Sequence, residues 1–131
     1  MEILIYVKRK TASLELLHRE IDKINSYNIV NEFNNFDTLC QQLKNNTITR
    51  NNRTIALLLI DDREDLQEVI KKHNQLSETR IILILPDKEP ETIKLGHQLF
   101  PRYQDFIDSN FTEVGEVLRK LMQTDNREAK K

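Results

Sequence analysis

Apolar positions along the chain follow two alternating rhythms. Short unbroken runs, Ile3-Leu4-Ile5-Tyr6-Val7, Ile55-Ala56-Leu57-Leu58-Leu59-Ile60 and Ile81-Ile82-Leu83-Ile84-Leu85, are separated by stretches in which apolar residues return every three or four positions. Unbroken runs of this length read as strands buried on both faces, and the spaced stretches read as amphipathic helices. The runs predict strands over Glu2 to Val7, Thr54 to Ile60 and Arg80 to Leu85. Two weaker strands are expected over Asn28 to Phe33 and Tyr103 to Ile107.

Between them, Leu14, Leu17, Ile21 and Ile24 share one face of a helix that starts near Ser13. Asp37 suits the cap of a second helix carrying Leu39, Cys40 and Leu43, which gives way to a polar loop from Lys44 to Arg53. Asp62 is placed to cap a third, with Leu66, Val69, Ile70 and His73 on one side. Pro90 fits the first turn of a fourth, whose stripe is Ile93, Gly96, His97 and Phe100, and Pro101 stops it. Asn110-Phe111-Thr112-Glu113 has the form of a capping box ahead of a helix carrying Val114, Val117, Leu118 and Leu121.

Strand and helix thus alternate five times. Right-handed crossovers then put helices on both faces of a parallel sheet, an α/β three-layer architecture with the flavodoxin-like strand order 2-1-3-4-5. The expected organisation is one domain over residues 1–123 and a polar, frayed tail over 124–131. In this topology the carboxyl ends of strands 1, 3 and 4 meet at one edge, which gathers Lys8-Arg9-Lys10, Asp61-Asp62 and Pro86-Asp87.

Composition narrows the chemistry. The 20 basic and 21 acidic side chains are interspersed and leave a formal net charge of -1, so no bulk field draws the chain onto nucleic acid or an anionic membrane. No apolar run approaches the roughly 20 residues of a membrane span. The single cysteine, Cys40, has no partner for an internal disulfide and suits a core position, so the cytoplasm is the expected compartment. Gly96 and Gly115 are the only glycines, too few for a phosphate-cradling loop or a dinucleotide fingerprint. A flavin phosphate loop would have to lie at Lys8 to Ser13, where only Thr11 and Ser13 offer hydroxyls. His18, His73 and His97 fall on separate helices with no catalytic partner at local spacing, so neither a cofactor, a metal nor an enzymatic activity is expected.

Phe106-Ile107-Asp108-Ser109-Asn110-Phe111-Thr112 resembles the end of the fifth strand in the receiver domains of two-component response regulators, and the third strand ending in Asp61-Asp62 resembles the one that carries their phosphoacceptor. The resemblance spans residues 1 to about 122. It implies an intracellular signalling domain with Asp61 or Asp62 at the phosphoacceptor position. The family's magnesium-holding acidic pair after strand 1 is replaced here by Lys8-Arg9-Lys10, its hydroxyl residue after strand 4 by Leu85-Pro86, and its lysine after strand 5 by Ser109. Phosphoryl transfer needs positioned cations around the transferring oxygens. The expectation is therefore a stand-alone pseudo-receiver that works by protein–protein contact without phosphorylation and meets any output domain as a partner. Lys8 or Arg9 is expected to pair with Asp61 where magnesium would sit, and Asp87 either joins Asp61 at a divalent site or caps the helix at Pro90. Leu95, Leu99, Tyr103 and Phe106 are the expected partner surface, on the helix 4–strand 5–helix 5 face through which receivers commonly dimerise. The alternatives are an atypical phosphoacceptor using Asp61 or Asp62 and a small flavodoxin-like ligand-binding domain or enzyme.

Overall fold

The computed structural model describes residues 2–24, 29–48, 54–76 and 79–129. Five strands, β1 (Glu2–Val7), β2 (Ile29–Phe33), β3 (Thr54–Leu59), β4 (Arg80–Leu85) and β5 (Tyr103–Phe106), form one sheet in the order β2-β1-β3-β4-β5. Every pairing is parallel, with Ile3 opposite Ile55 and Ala56 opposite Ile81 in the centre. The helices are α1 (Ala12–Asp22), α2 (Phe36–Ile48), α3 (Arg63–Lys71), α4 (Pro90–His97) and α5 (Thr112–Ala129), and a short 3-10 helix (His73–Leu76) follows α3. This is the flavodoxin-like, three-layer α/β fold.

Each central strand feeds two cores at once, which is why its sequence is an unbroken apolar run. Ile3, Ile5, Ile55, Leu57, Ile82 and Ile84 pack with Leu14, Leu17, Val114 and Leu118 of α1 and α5. Their alternates Leu4, Tyr6, Ala56, Leu58, Leu83 and Leu85 pack with Leu39, Cys40, Leu66 and Val69 of α2 and α3.

The helix ends differ from the local reading. Asn35, not Asp37, caps α2: its side chain accepts from the amides of Asp37 at 2.8 Å and Thr38 at 3.2 Å. Asp37 instead receives the Lys72 ammonium at 2.7 Å, and that bond raises the pKa of Lys72. Helix α2 continues to Ile48, beyond the expected break at Lys44, and α5 continues to Ala129, past the expected end of order at Thr124. Asn28 and residues 49–53 of the expected polar loop lie outside the described residues. The capping box before α5 does not form. Asn110 accepts from Thr112 N at 3.0 Å, while the Glu113 carboxylate accepts from the Tyr103 hydroxyl.

Helix α4 also turns a different stripe to the sheet. Its buried positions are Thr92 and Gly96, followed by Leu99 just past its end. Counting apolar residues selects Ile93, His97 and Phe100 and passes over Thr92, whose hydroxyl is satisfied by Arg63 and Asp87 and can therefore be buried. Gly96 brings α4 close to β4, since a Cβ there would stand 3.0 Å from Leu83 Cδ2.

Candidate functional site

The carboxyl edge is built by three strand ends. Strand pairing continues one residue past β3, with Ile60 N donating to the Ile84 carbonyl at 3.0 Å, and this carries Asp61 to the mouth of the edge. Asp62 then adopts an extended conformation and caps α3, its carboxylate accepting from Asp65 N at 2.8 Å. The register ambiguity of the acidic pair is thereby resolved: Asp61 faces the edge and Asp62 serves the helix.

Asp65 is the residue that local sequence reasoning does not single out. It is buried, at 3% exposure, and its carboxylate accepts from the Tyr6 hydroxyl at 2.6 Å and from Asp61 N at 3.0 Å. It therefore ties β1, the end of β3 and α3 together. Burial, and then the bond to the Asp65 carboxylate, raise the Tyr6 pKa, so Tyr6 is a protonated donor across the physiological range. Phe36 meets the Tyr6 ring edge-on, with centroids 5.5 Å apart.

Beyond β1, Lys8, Arg9 and Lys10 are exposed, and Arg9 Nε lies 3.5 Å from the Asp61 carboxylate. Of the two expected cations it is Arg9 that makes the ion pair. The Arg9 side chain is 73% exposed and Asp61 24%, so this is a surface pair in high dielectric, not an internal lock. Arg9→Ala should accordingly shift stability by less than about 1 kcal/mol. A thermal melt of the variant beside the parent chain measures it. A cleft of about 100 Å³ opens beside the pair, with Thr11, Pro86 and Ile107 on its walls.

The remaining expected site residues are drawn elsewhere. Asp87 accepts from Glu89 N at 3.0 Å and bonds the Thr92 hydroxyl, which together hold its carboxyl below the usual range. Glu89 occupies the cap position of α4, so Asp87 braces the loop ahead of the helix instead of capping it, and it is not on the walls of the Asp61 cleft. Ser109 donates to Asp105 at 2.8 Å and accepts from Phe111 N at 2.9 Å, which commits it to the β5–α5 turn. Ile107, two residues earlier, is the β5-side neighbour of the cleft. Among the described residues, no group of three or more His, Cys, Asp or Glu side chains is placed to hold a metal ion. Burial pushes the Cys40 thiol up to about 11, as expected of a core residue.

The expected partner surface divides. Leu99 is buried at 5% exposure and belongs to the core, which removes it from any contact face. Leu95, Tyr103 and Phe106 are half-buried. Tyr103 and Phe106 pack on opposite faces of β5, and Lys88 Nζ stands 5.4 Å from the Phe106 ring centroid. The large aromatic that does reach solvent is Phe100, at 87% exposure. A local signal for it exists, because a residue that precedes proline is disfavoured in a helix.

The class that fold and edge define is a flavodoxin-like α/β domain with an arginine–aspartate pair at its strand-end crevice. No protein-family model, no curated protein and no solved structure matches the chain. Among the described residues, no helix is long and apolar enough to cross a membrane.

Proposed function

We propose that the chain is a receiver-like signalling module that acts by protein–protein contact in the cytoplasm, without phosphorylation, cofactor or catalysis. The observation that carries this reading is the Arg9 guanidinium against Asp61. Arg9 follows β1, where receivers carry their magnesium-holding acids, and sets a cation beside the Asp61 carboxylate at the end of β3. The other carboxylates of the edge support the same reading, since Asp62 serves α3, Asp65 serves Tyr6 and Asp61 N, and Asp87 serves Thr92 and Glu89. The partner in this reading is another protein or a second copy of the chain, met on the α4–β5–α5 face at Leu95, Tyr103 and Phe106. The single cysteine is the feature that supports a reducing compartment.

A second reading, an atypical phosphoacceptor, rests on Asp61 alone, because its carboxylate is the one at the mouth of the cleft. An amide NMR titration with magnesium and then beryllofluoride separates the two. The expected result is an unchanged spectrum at Asp61, Asp62, Asp87 and Ser109. Saturable, magnesium-dependent shifts at those residues would instead establish phosphoacceptor chemistry. Dilution of the same sample tests the second-copy partner, which predicts concentration-dependent shifts confined to α4, β5 and α5.

A further inference from the structure

At the amino end of the sheet, opposite Asp61, a cleft of about 360 Å³ lies between the 3-10 helix and the turn after α4. Its floor is Leu76, Ile81 and Leu99, all buried, and Asn74 and Gln98 are among the polar residues that line it. Phe100 also lines it, with 87% of its surface exposed and a backbone φ of 48°. That left-handed conformation is disfavoured for any L residue with a bulky side chain. Here it is held in place on both sides, by Phe100 N donating to the His97 carbonyl at 3.1 Å and Arg102 N to the Ile81 carbonyl at 2.7 Å. The left-handed residue lies just past the end of α4, where helices commonly end in that conformation, and it leaves the Phe100 ring exposed beside the cleft.

The chemistry of the lining selects the ligand. The described residues that line the cleft are apolar or carry neutral polar groups: Leu76, Ile81, Leu99 and Phe100 beside Asn74, Thr79 and Gln98. An apolar floor, an aromatic platform and amide edges suit a ring that is flat, uncharged and able to hydrogen-bond along its rim. His73 adds an acceptor: its Nδ1 donates to the Ile70 carbonyl at 2.8 Å, so Nε2 carries the lone pair in the neutral ring. The volume falls at the low end of the ~300–1,000 Å³ typical of small-molecule pockets. A protein interface engages about 20–30 residues a side, far more than this cleft offers.

We propose that the cleft bounded by Leu76, Ile81, Leu99 and the exposed ring of Phe100 binds an uncharged heteroaromatic group of nucleobase size, stacked on Phe100 and paired along its edge by Asn74 and Gln98. The site is separate from the Asp61 edge and does not rest on the reading given there.

The test is an NMR titration of the full chain with adenosine, guanosine and indole, following the backbone amides and the side-chain amides of Asn74 and Gln98. At least one probe should give saturable shifts at Asn74, Gln98 and Phe100 and none at Asp61. Phe100→Ala should weaken that binding about tenfold or more, as expected for loss of a base-stacking aromatic. Phe100→Leu, which keeps apolar bulk without a ring face, should weaken it comparably. Both variants should melt within a few degrees of the parent, because the ring is exposed. No saturable binding by any of the three probes at their solubility limits overturns the proposal. Equal binding by Phe100→Ala overturns it as well, and so does dilution-dependent shifting of the cleft residues without probe, which would mean that a second copy covers them.

Discussion

Asp65→Ala is expected to destabilise the domain by about 2–4 kcal/mol and to loosen the Asp61 edge. The loss has two parts: the Tyr6 hydroxyl and Asp61 N lose their acceptor in a dry site, at about 1–3 kcal/mol for a stranded buried group, and a small void opens under α3. Denaturant unfolding checks the magnitude, and amide exchange at Asp61 and Asp62 checks the loosening. Tyr6→Phe should cost less, because a carboxylate that loses one donor still holds Asp61 N. The pair also carries a pH signature. The Tyr6 pKa is raised in the folded chain, so its contribution is complete below the unfolded value of about 10 and is lost as pH rises through the folded value. Parent stability should therefore fall in alkali more steeply than that of Tyr6→Phe. Identical alkaline limbs for the two proteins would refute the assignment.

Phe111→Ala should have the largest effect of any single substitution in the β5–α5 turn, about 3–5 kcal/mol, the range for removing a fully buried Phe ring. Phe111 is completely buried among Val114, Leu118 and the α1 face, yet its backbone has φ 62°. The ring's burial offsets that strain, with help from Phe111 N donating to Ser109 Oγ and Gly115 N donating to the Phe111 carbonyl. Alanine keeps the strained backbone and loses the burial. Chemical denaturation should show a lower midpoint at unchanged slope, the pattern of lost stability in an intact fold. Ser109→Ala, which removes only the local bonds, should cost about 1 kcal/mol. If the two variants were equally destabilised, the turn would be held by its polar bonds and not by the ring.

Much of the edge is legible in the sequence, and the rest depends on contacts that periodicity does not name. The cap by Asp62, the buried Cys40 and a cation from strand 1 against Asp61 all follow from neighbours in sequence or from strand order. The pattern misleads where a hydrogen bond or a helix end outweighs periodicity. Thr92 enters the sheet-facing stripe of α4 through Arg63 and Asp87. The resemblance to receivers puts Ser109 at the cleft, in the place of the family's lysine, whereas Asp105 and Phe111 N hold it in the turn. Leu99 belongs to the expected partner surface only if the helix runs on to Pro101; it ends at His97, and the turn carries Leu99 inward and Phe100 outward.

The sequence by itself determined the fold. Short unbroken apolar runs rich in branched residues read as strands covered on both faces, helical spacing supplies the covers, and the handedness of crossovers leaves few orders for five parallel strands. Periodicity is a local property, however, and it names the face a residue occupies without naming its partner there. Tertiary structure alone brought Tyr6 to Asp65 across 59 positions, chose Arg9 over Lys8 for Asp61, and turned Phe100 to solvent. Each of those outcomes depends on side-chain reach and hydrogen-bond satisfaction between elements that only the packed sheet makes neighbours.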